Sequence, residues 1–454
     1  MAEEGTLSYG YPEYQFSRSP ELVHRSGLSK NDDLGRNFPR TAKWCPDGSV
    51  ALVQCENRSF QFIEFPSNIV TPGQSEQREI DATAEAPTTH SPSSGRTIEQ
   101  AAPILDYAWY PSASRFTPVS YCFVASVREC PVKLLDAVDG RLRASYKIVD
   151  HRERHIAPHC LAFNLFGNKL YCGFEDAIEV FDVACPGEGS RIYTTPSKQT
   201  KSGLKGIISA LAFCPSYDSA SYFAAGTLNP SSSYSSNIAI FTEDTDGTPV
   251  GFVSTDRSGT GMRAAVTQLQ FNPTRPHILY ASFRRHDCIY SWDLRGDMSC
   301  PVDVYGYGDT TGASRPTRDM TNQKLRFDVD PSGQWLSTGD HHGKVSIFDV
   351  KEKDTISDTF TTTEDAPILK FHAHDDAVGS VGFHPSQPLL LSVSGSRHFH
   401  HDHESLASHK PRHYDSDSSS GSDEDSDDDS SERRKRSVPR PFPIDASIRL
   451  WDFK

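Results

Sequence analysis

No stretch of this 454-residue chain approaches the ~18 consecutive apolar residues that a membrane-crossing helix needs, which excludes a spanning segment and a membrane partner. The N-terminus, Met1-Ala-Glu-Glu-Gly, has no apolar run, so no secretory signal is expected there. The ten cysteines are scattered singly, without one C-x-x-C pair. Reduced, mostly buried thiols in the cytosol or nucleus are expected. G-x-S-x-G, H-E-x-x-H and G-x-x-x-x-G-K-[ST] are all missing, and the carboxylates fall mostly on turns and strand ends. No enzyme and no cofactor are therefore expected. Apolar residues are sparse at 36%, below the ~45–50% of ordinary domains (a figure that includes glycine). That suffices for a core and leaves room for solvated segments. The net charge of −14 means that any nucleic-acid role must come from a local basic surface.

Thirty glycines and thirty prolines mark a turn-rich chain, more easily all-β than helical. Within it a unit repeats. A short β-type run ends in a large apolar residue, then one residue, then usually proline: Ala42-Lys43-Trp44-Cys45-Pro46, Tyr107-Ala108-Trp109-Tyr110-Pro111, Leu211-Ala212-Phe213-Cys214-Pro215, Leu269-Gln270-Phe271-Asn272-Pro273, Phe327-Asp328-Val329-Asp330-Pro331 and Val381-Gly382-Phe383-His384-Pro385. Leu161-Ala162-Phe163 fits the place without the proline. An alternating run with an acidic end follows most copies, as in Val132–Asp136, Ile289-Tyr290-Ser291-Trp292-Asp293 and Ile448-Arg449-Leu450-Trp451-Asp452. The large apolar positions 44, 109, 163, 213, 271, 329 and 383 are separated by 65, 54, 50, 58, 58 and 54 residues. Those steps exceed the ~40–45 of a minimal propeller blade, so loops are inserted. Each unit offers four strands and cannot bury both faces alone, so neighbours must stack. The expected fold is all-β and looks like a seven-bladed WD-repeat β-propeller. Its last blade ends at Lys454 after a third strand. An N-terminal strand near Glu21–Ser26 is expected to close the ring and remove its edges.

The expected organisation is a flexible 1–20, a propeller over 21–396 and 444–454, and two disordered insertions. The first, 66–103, is rich in Pro, Ser, Thr, Glu and Gln. The second, 397–443, lies inside blade seven and holds nine acidic residues and eight serines from Asp415 to Glu432. Ser420, Ser422 and Ser426 each have an acid three residues on, a pattern suited to phosphorylation by acidic-directed kinases. Arg433, Arg434, Lys435 and Arg436 form a short basic run of the nuclear-localisation type. His398, His400, His401 and His403 form a tract with Asp402 and Glu404 in a loop with no rigid frame, so no metal site is expected. His374 is expected to fasten the last blade through Ser392 or Ser394 and Trp451 rather than to catalyse.

The bases are placed unevenly. In a WD-repeat ring the loops between second and third strands share a face with the loops that lead into each blade. The first set carries Arg58, Arg128, Arg284, Arg285, His341, His342, Lys344 and Arg397. The lead-in loops are read as carrying Arg40, Lys43, Lys205, Arg263, Arg315, Arg318 and Lys324. Asp47, Asp139, Glu188, Asp244, Asp246, Asp297, Glu352 and Asp354 fall on the opposite face, so the ring is expected to be electrically two-sided. Such a face suits folded RNA, whose phosphates take Lys and Arg and whose unpaired bases stack on aromatic or guanidinium planes. Arg284, Arg285, Arg128, Arg58, Lys205, Arg263 and Arg397 are the expected RNA contacts, Arg284 and Arg285 first.

Several runs are longer than a generic repeat supplies. Thr321-Asn322-Gln323-Lys324-Leu325-Arg326-Phe327-Asp328-Val329-Asp330-Pro331-Ser332-Gly333-Gln334 resembles the telomerase Cajal body protein family. So do Arg143-Ala144-Ser145-Tyr146, Leu170-Tyr171-Cys172-Gly173-Phe174, Ser291-Trp292-Asp293-Leu294-Arg295 and His384-Pro385-Ser386-Gln387-Pro388-Leu389-Leu390-Leu391. The resemblance runs from about Glu21 to the end. It implies a nuclear scaffold, in Cajal bodies and to some extent the cytoplasm, that binds small Cajal body RNAs and telomerase RNA. It also implies help with RNA–protein particle assembly, alongside other particle proteins; a fungal branch is linked to pre-mRNA splicing. The chain departs from the animal pattern in lacking a long proline-rich N-terminal extension and in stopping at the last blade. A monomeric, non-enzymatic RNA-binding scaffold is the expected function. The alternative is a protein–protein adaptor without direct RNA contact.

Overall fold

Period-two runs put alternate side chains on opposite faces of a strand, and here each face meets a neighbouring blade. In the computed structural model, which describes residues 10–28, 36–66, 96–195, 203–216, 221–228, 236–244, 247–254, 264–306, 321–351, 364–399 and 441–454, every regular element is a strand. The strands form seven sheets, six of four strands and one of five. The innermost strands are Pro39–Trp44, Ile104–Trp109, Cys160–Phe163, Ile208–Phe213, Val266–Phe271, Asp328–Val329 and Val378–Phe383. They carry the seven repeat positions read from the sequence. The fifth strand of blade five is Glu364–Asp365, which pairs in parallel with Asp303–Gly306.

The ring closes as expected. Glu21–Gly27 lies antiparallel to Ser447–Asp452, from Glu21 opposite Asp452 to Gly27 opposite Ser447. The last blade thus gets its fourth strand from the start of the chain, and no open sheet edge is left at the seam.

Three boundaries differ from expectation. The first insertion ends before residue 103, because Thr97–Glu99 is the fourth strand of blade one, paired with Ser59–Gln61. Arg96 anchors it, lying 4.0 Å from the Phe62 ring centroid and donating to the carbonyls of Ala137 and Val138. The N-terminal stretch is engaged before residue 20. Tyr14 and Phe16 pack on Phe383, Trp335 and Phe453, and Gln15 N donates to Phe453 O at 2.7 Å. At the base of the blade-seven insertion His398 and Phe442 exchange backbone hydrogen bonds at 2.9 Å. Ser420, Ser422, Ser426 and Arg433–Arg436 lie outside the described residues.

Phe16 meets Trp335 edge to face at 4.7 Å and Phe453 at 5.3 Å. Edge-to-face pairs contribute about 0.5–1.5 kcal/mol beyond burial. Phe16→Leu is expected to cost about 1 kcal/mol, read as a fall in the urea midpoint with an unchanged slope. An unchanged midpoint would mean that the strap adds nothing to the ring.

His374 fastens blade seven as expected. Trp451 Nε1, which can only donate, bonds Ser392 Oγ at 2.8 Å. Ser392 then gives its proton to His374 Nε2 at 2.7 Å. His374 Nδ1 is left to donate to Ser447 Oγ at 3.1 Å and Asp445 at 3.4 Å. Ser394 instead bonds the carbonyls of Asp376 and Ala377.

Candidate nucleic-acid interface

Hydrogen bonds tie the hairpin turns after each second strand to the lead-in loops. Glu56 N donates to Phe38 O, Arg128 N to Pro103 O, Asp176 N to Gly206 O and Arg284 N to Ala265 O, at 2.8 to 3.0 Å. The two loop sets therefore share one face, as the repeat predicts. Several of these turns hold a non-glycine residue in the left-handed region: Arg58 at φ 69°, Glu129 at 59°, Asp176 at 57° and Arg285 at 59°. A side chain there carries backbone strain of order 1 kcal/mol, offset by the lead-in hydrogen bond beside it.

The expected contacts fall into three groups. Arg58 and Arg128 stand exposed on their turns, and Lys205 is half-buried in the lead-in to blade four. Arg284 and Arg285 are half-buried on the blade-five turn, and Arg284 Nε is buried with no hydrogen-bond partner among the described residues. Arg397 is tied to Glu56, which also holds Arg40 at 3.5 Å. Arg263, Arg315 and Arg318 lie outside the described residues.

Two readings need correction. Arg40 and Lys43 are not loop residues: both belong to the innermost strand Pro39–Trp44. Among the described residues the opposite face is not simply acidic either. Arg115, Arg141, Arg143 and Arg295 stand there, paired with Glu64, Asp136 and Asp293 at 2.7 to 3.3 Å. What distinguishes the first face is a concentration of bases on its turns, although Glu56 pairs with Arg40 and Arg397 and Asp287 lies 3.9 Å from His341.

That concentration sits at the mouth of the central channel. The strand registers put equivalent residues of the seven innermost strands at one height. One such ring is Thr41, Asp106, Cys160, Ala210, Gln268, Arg326 and Ser380; the next, two residues on, is Lys43, Ala108, Ala162, Ala212, Gln270, Asp328 and Gly382. Most of these residues line a cavity of about 330 Å³. Asp106 is its central acid, 3.7 Å from Lys43 and 3.8 Å from Arg326, and it accepts from Leu161 N at 2.9 Å. Burial alone would raise its pKa, but Lys43, Arg326 and Lys324 bring the carboxyl below its ordinary value. Lys43, pushed down by burial, donates to the carbonyl of Tyr107. Burial raises the Asp328 carboxyl to about 6.

Above the rings, bases crowd together. Burial and then Arg326 bring the Lys324 ammonium down to about 8, with Arg284 adding to the effect and Asp106 opposing it. Burial, Lys324 and Arg128 lower the His159 imidazole. Arg326 donates to Thr267 O at 3.1 Å, while its Nε is buried without a hydrogen-bond partner among the described residues. Lys324 thus feels Arg326, Arg284 and Asp106, and His159 feels Lys324 and Arg128. Sequence reasoning placed Arg284, Arg128 and Lys324 on this face but missed Arg326, His159 and Asp106. Their only signal was their place three or four residues before the large apolar residue of a repeat.

Among the described residues no group of three or more His, Cys, Asp or Glu is placed to hold a metal ion. His398 is engaged with Asp376 at 2.9 Å and Ser396 at 2.8 Å.

Seven sheets, an N-terminal closing strand and the Trp–Ser–His chain define a WD-repeat β-propeller. No protein-family model matches the chain. Over most of its length it is homologous to proteins named telomerase Cajal body protein 1. It is 30% identical over 399 residues to that of Rattus norvegicus, covering 87% of this chain and 65% of the relative. It is 30% identical over 403 residues to that of Homo sapiens, covering 89% and 64%. The chain therefore spans about two thirds of the length of these relatives, slightly less in each case. A Schizosaccharomyces pombe protein named guanine nucleotide-binding protein negative regulator 1 is 27% identical over 331 residues, 72% of this chain and 73% of the relative.

Proposed function

We propose that this chain is a non-enzymatic nuclear scaffold that binds structured small RNA, of the Cajal body, telomerase or spliceosomal kind, on the face around Arg284. The relatives' name, telomerase Cajal body protein, supports the compartment and the particle type. The observation that carries the reading is the clustering of bases on one face: the turns of Arg58, Arg128, Arg284 and Arg285 are tied to the lead-in loops beside them, and neighbouring cations lower Lys324 and His159. Desolvated cations crowded together are costly unless an anion joins them, and the RNA backbone is the anion of greatest charge density available to such a scaffold. Arg58, Arg128 and Lys205 extend the footprint outward; Arg397, bound to Glu56, joins it only by exchanging partners.

Replacing Arg284 and Arg285 together by alanine is expected to weaken binding of a structured small nuclear RNA roughly tenfold at 100 mM salt. The slope of log affinity against log salt should flatten by about 1 to 2. Filter binding across a salt series measures both, and an unchanged slope would remove these two arginines from the interface.

A protein-docking reading has its own support. On the opposite face Phe116 and Val119 are 84% and 85% exposed. Their loop is held by Arg143, which donates to the carbonyls of Pro118, Val119 and Tyr121. Rigid, bare apolar residues are what a partner's pocket takes. A scaffold with RNA on one face and a protein on the other uses both features.

A further inference from the structure

We propose that two copies of this chain pair face to face on the side opposite the basic turns, the Phe116 and Val119 knob of each entering an apolar groove between blades four and five of the other. This rests on the protein-docking reading and names the partner as a second copy, in place of the monomer expected from the sequence.

The knob belongs to blade two. Phe116 and Val119 lie between its first and second strands, Ile104–Trp109 and Cys122–Val127, and are almost wholly exposed. Val138 and Leu142, each more than half exposed, stand at the turn between its third and fourth strands, Val132–Asp136 and Leu142–Tyr146. Arg143, next to Leu142, donates to the carbonyls of Pro118 and Val119 and so ties the two apolar loops together.

The groove is a cavity of about 440 Å³ lined mainly by Cys214, Tyr222, Ile240, Val250, Leu294 and Met298. Cys214 follows the first strand of blade four, Ile208–Phe213, and Tyr222 opens its second, Tyr222–Thr227. Val250 precedes its fourth strand, Gly251–Val253, and Leu294 follows the third strand of blade five, Cys288–Asp293. These strand ends lie away from the turns that follow second strands, so the groove opens on the same face as the knob. Cys214 and Ile240 are buried at its floor, while Tyr222 and Val250 stand exposed at its mouth. A Cβ on Gly251 would come within 2.7 Å of Met298 Cε, so the glycine leaves room for a thioether that adapts to an incoming ring. Pockets of roughly 300–1,000 Å³ take drug-sized groups, which leaves space for one phenyl ring and its neighbouring valine.

Two features select a second copy as the occupant. A knob and a groove on one face of a molecule are matched reciprocally by a twofold axis that lies between two facing rings and bisects the angle from knob to groove. The contact is then made twice and the assembly closes as a dimer. The charges also agree. Beside the knob Arg141, 70% exposed, shares the Asp136 carboxylate with Arg143. On the groove's turn the exposed Asp297 stands between Met298 and Arg295, and Arg295 is already held by Asp293 at 2.7 Å. Docking brings a base-flanked knob to an acid-flanked groove. Both basic faces then point outward, and one pair offers two surfaces to RNA.

Sedimentation velocity of the full chain from about 1 to 100 µM, where modest interfaces associate, is expected to show monomer passing to dimer. Phe116→Ser removes the knob and Val250→Lys places a charge at the groove mouth. Each should raise the dissociation constant at least tenfold, the usual weight of a buried aromatic anchor. Mixed together, the two variants should recover part of the lost affinity, because the unlike pair keeps one intact knob in one intact groove. Tyr193→Ser removes an equally bare ring beside the turn of Asp176 and should pair as the wild type does. Thermal melts establish that each variant is folded. A wild type that stays monomeric throughout, a dimer that both variants keep, or a mixture that recovers nothing overturns the pairing. A photo-reactive phenylalanine analogue at position 116, irradiated in cells, separates the pairing from the docking reading. Crosslinks joining two copies support the pair. Crosslinks to a different protein, with the purified chain monomeric, overturn the pair and spare the docking reading. The absence of both crosslinks and dimer overturns the two together.

Discussion

Asp445→Ala is expected to destabilise the ring by about 3–5 kcal/mol, the cost of removing one partner from a buried charged network. Asp445 is 7% exposed. Its carboxylate accepts from Ser447 N at 2.9 Å, Arg449 at 3.2 Å, Asp375 N at 3.3 Å and His374 Nδ1 at 3.4 Å. Burial by itself would raise its pKa. The hydrogen bonds from His374, Ser447 and the Asp375 backbone win and hold the group well below the usual carboxylate range. That stabilisation is present above an unfolded pKa of about 3.9 and is lost as the pH falls through the folded value. His374 acts in the same direction. Burial lowers its pKa against the pull of Asp445, so the folded state resists a proton that the unfolded chain accepts below about 6.5. Urea denaturation of the wild type should show stability falling as the pH drops from 7. The gap to Asp445→Ala should narrow below pH 4, where the wild type loses the carboxylate as well. A cost under 1 kcal/mol at pH 7 would show that the fastener is decorative.

Lys324→Met should do the opposite and stabilise the protein. The folded ammonium titrates at about 8 against an ordinary 10.5, a gap worth about 3 kcal/mol. Below pH 8 both states hold the proton, and the folded state carries the whole penalty. Between about 8 and 10.5 the unfolded chain still binds a proton that the folded chain has released, so wild-type stability rises with pH through that window. Methionine keeps most of the stem and removes the charge. The expected gain is about 2–3 kcal/mol at pH 7, shrinking towards zero near pH 10.5. Denaturant midpoints across pH 6 to 11 measure it; a Lys324→Met protein less stable than wild type at pH 7 refutes the account. A residue that weakens the fold and lies among unmet cations is the usual mark of a binding site, where stability is given up for function.

The repeat was legible because each blade reuses one local solution. Trp44, Trp109, Phe163, Phe213, Phe271, Val329 and Phe383 all end innermost strands, and the spacing alone ordered them. Closure by Glu21–Gly27 was legible too, since a ring whose last unit has three strands must find its fourth at the other end. The strand Thr97–Glu99 was hidden by the polar composition that precedes it, and Tyr14 and Phe16 by their separation from any repeat. The positions of the candidate site were half legible. Arg284, Arg285 and Arg128 are turn residues, and turns can be assigned to a face by counting strands. Lys43 was misplaced because the innermost strand begins at Pro39, four residues before Lys43, well ahead of the repeat signature that marks its end.

Sequence by itself determined the all-strand character, the number of blades, the seam and the face on which each turn emerges, because all of these follow from local periodicity and chain order. Only the tertiary structure decided which charges meet. Asp106, Lys43, Lys324 and Arg326 come from three blades and are separated by up to 283 positions in the chain. Their mutual distances exist only once seven sheets have closed around a common axis. Charge interaction depends on that separation and on the water excluded between the groups, and neither is written in the order of residues.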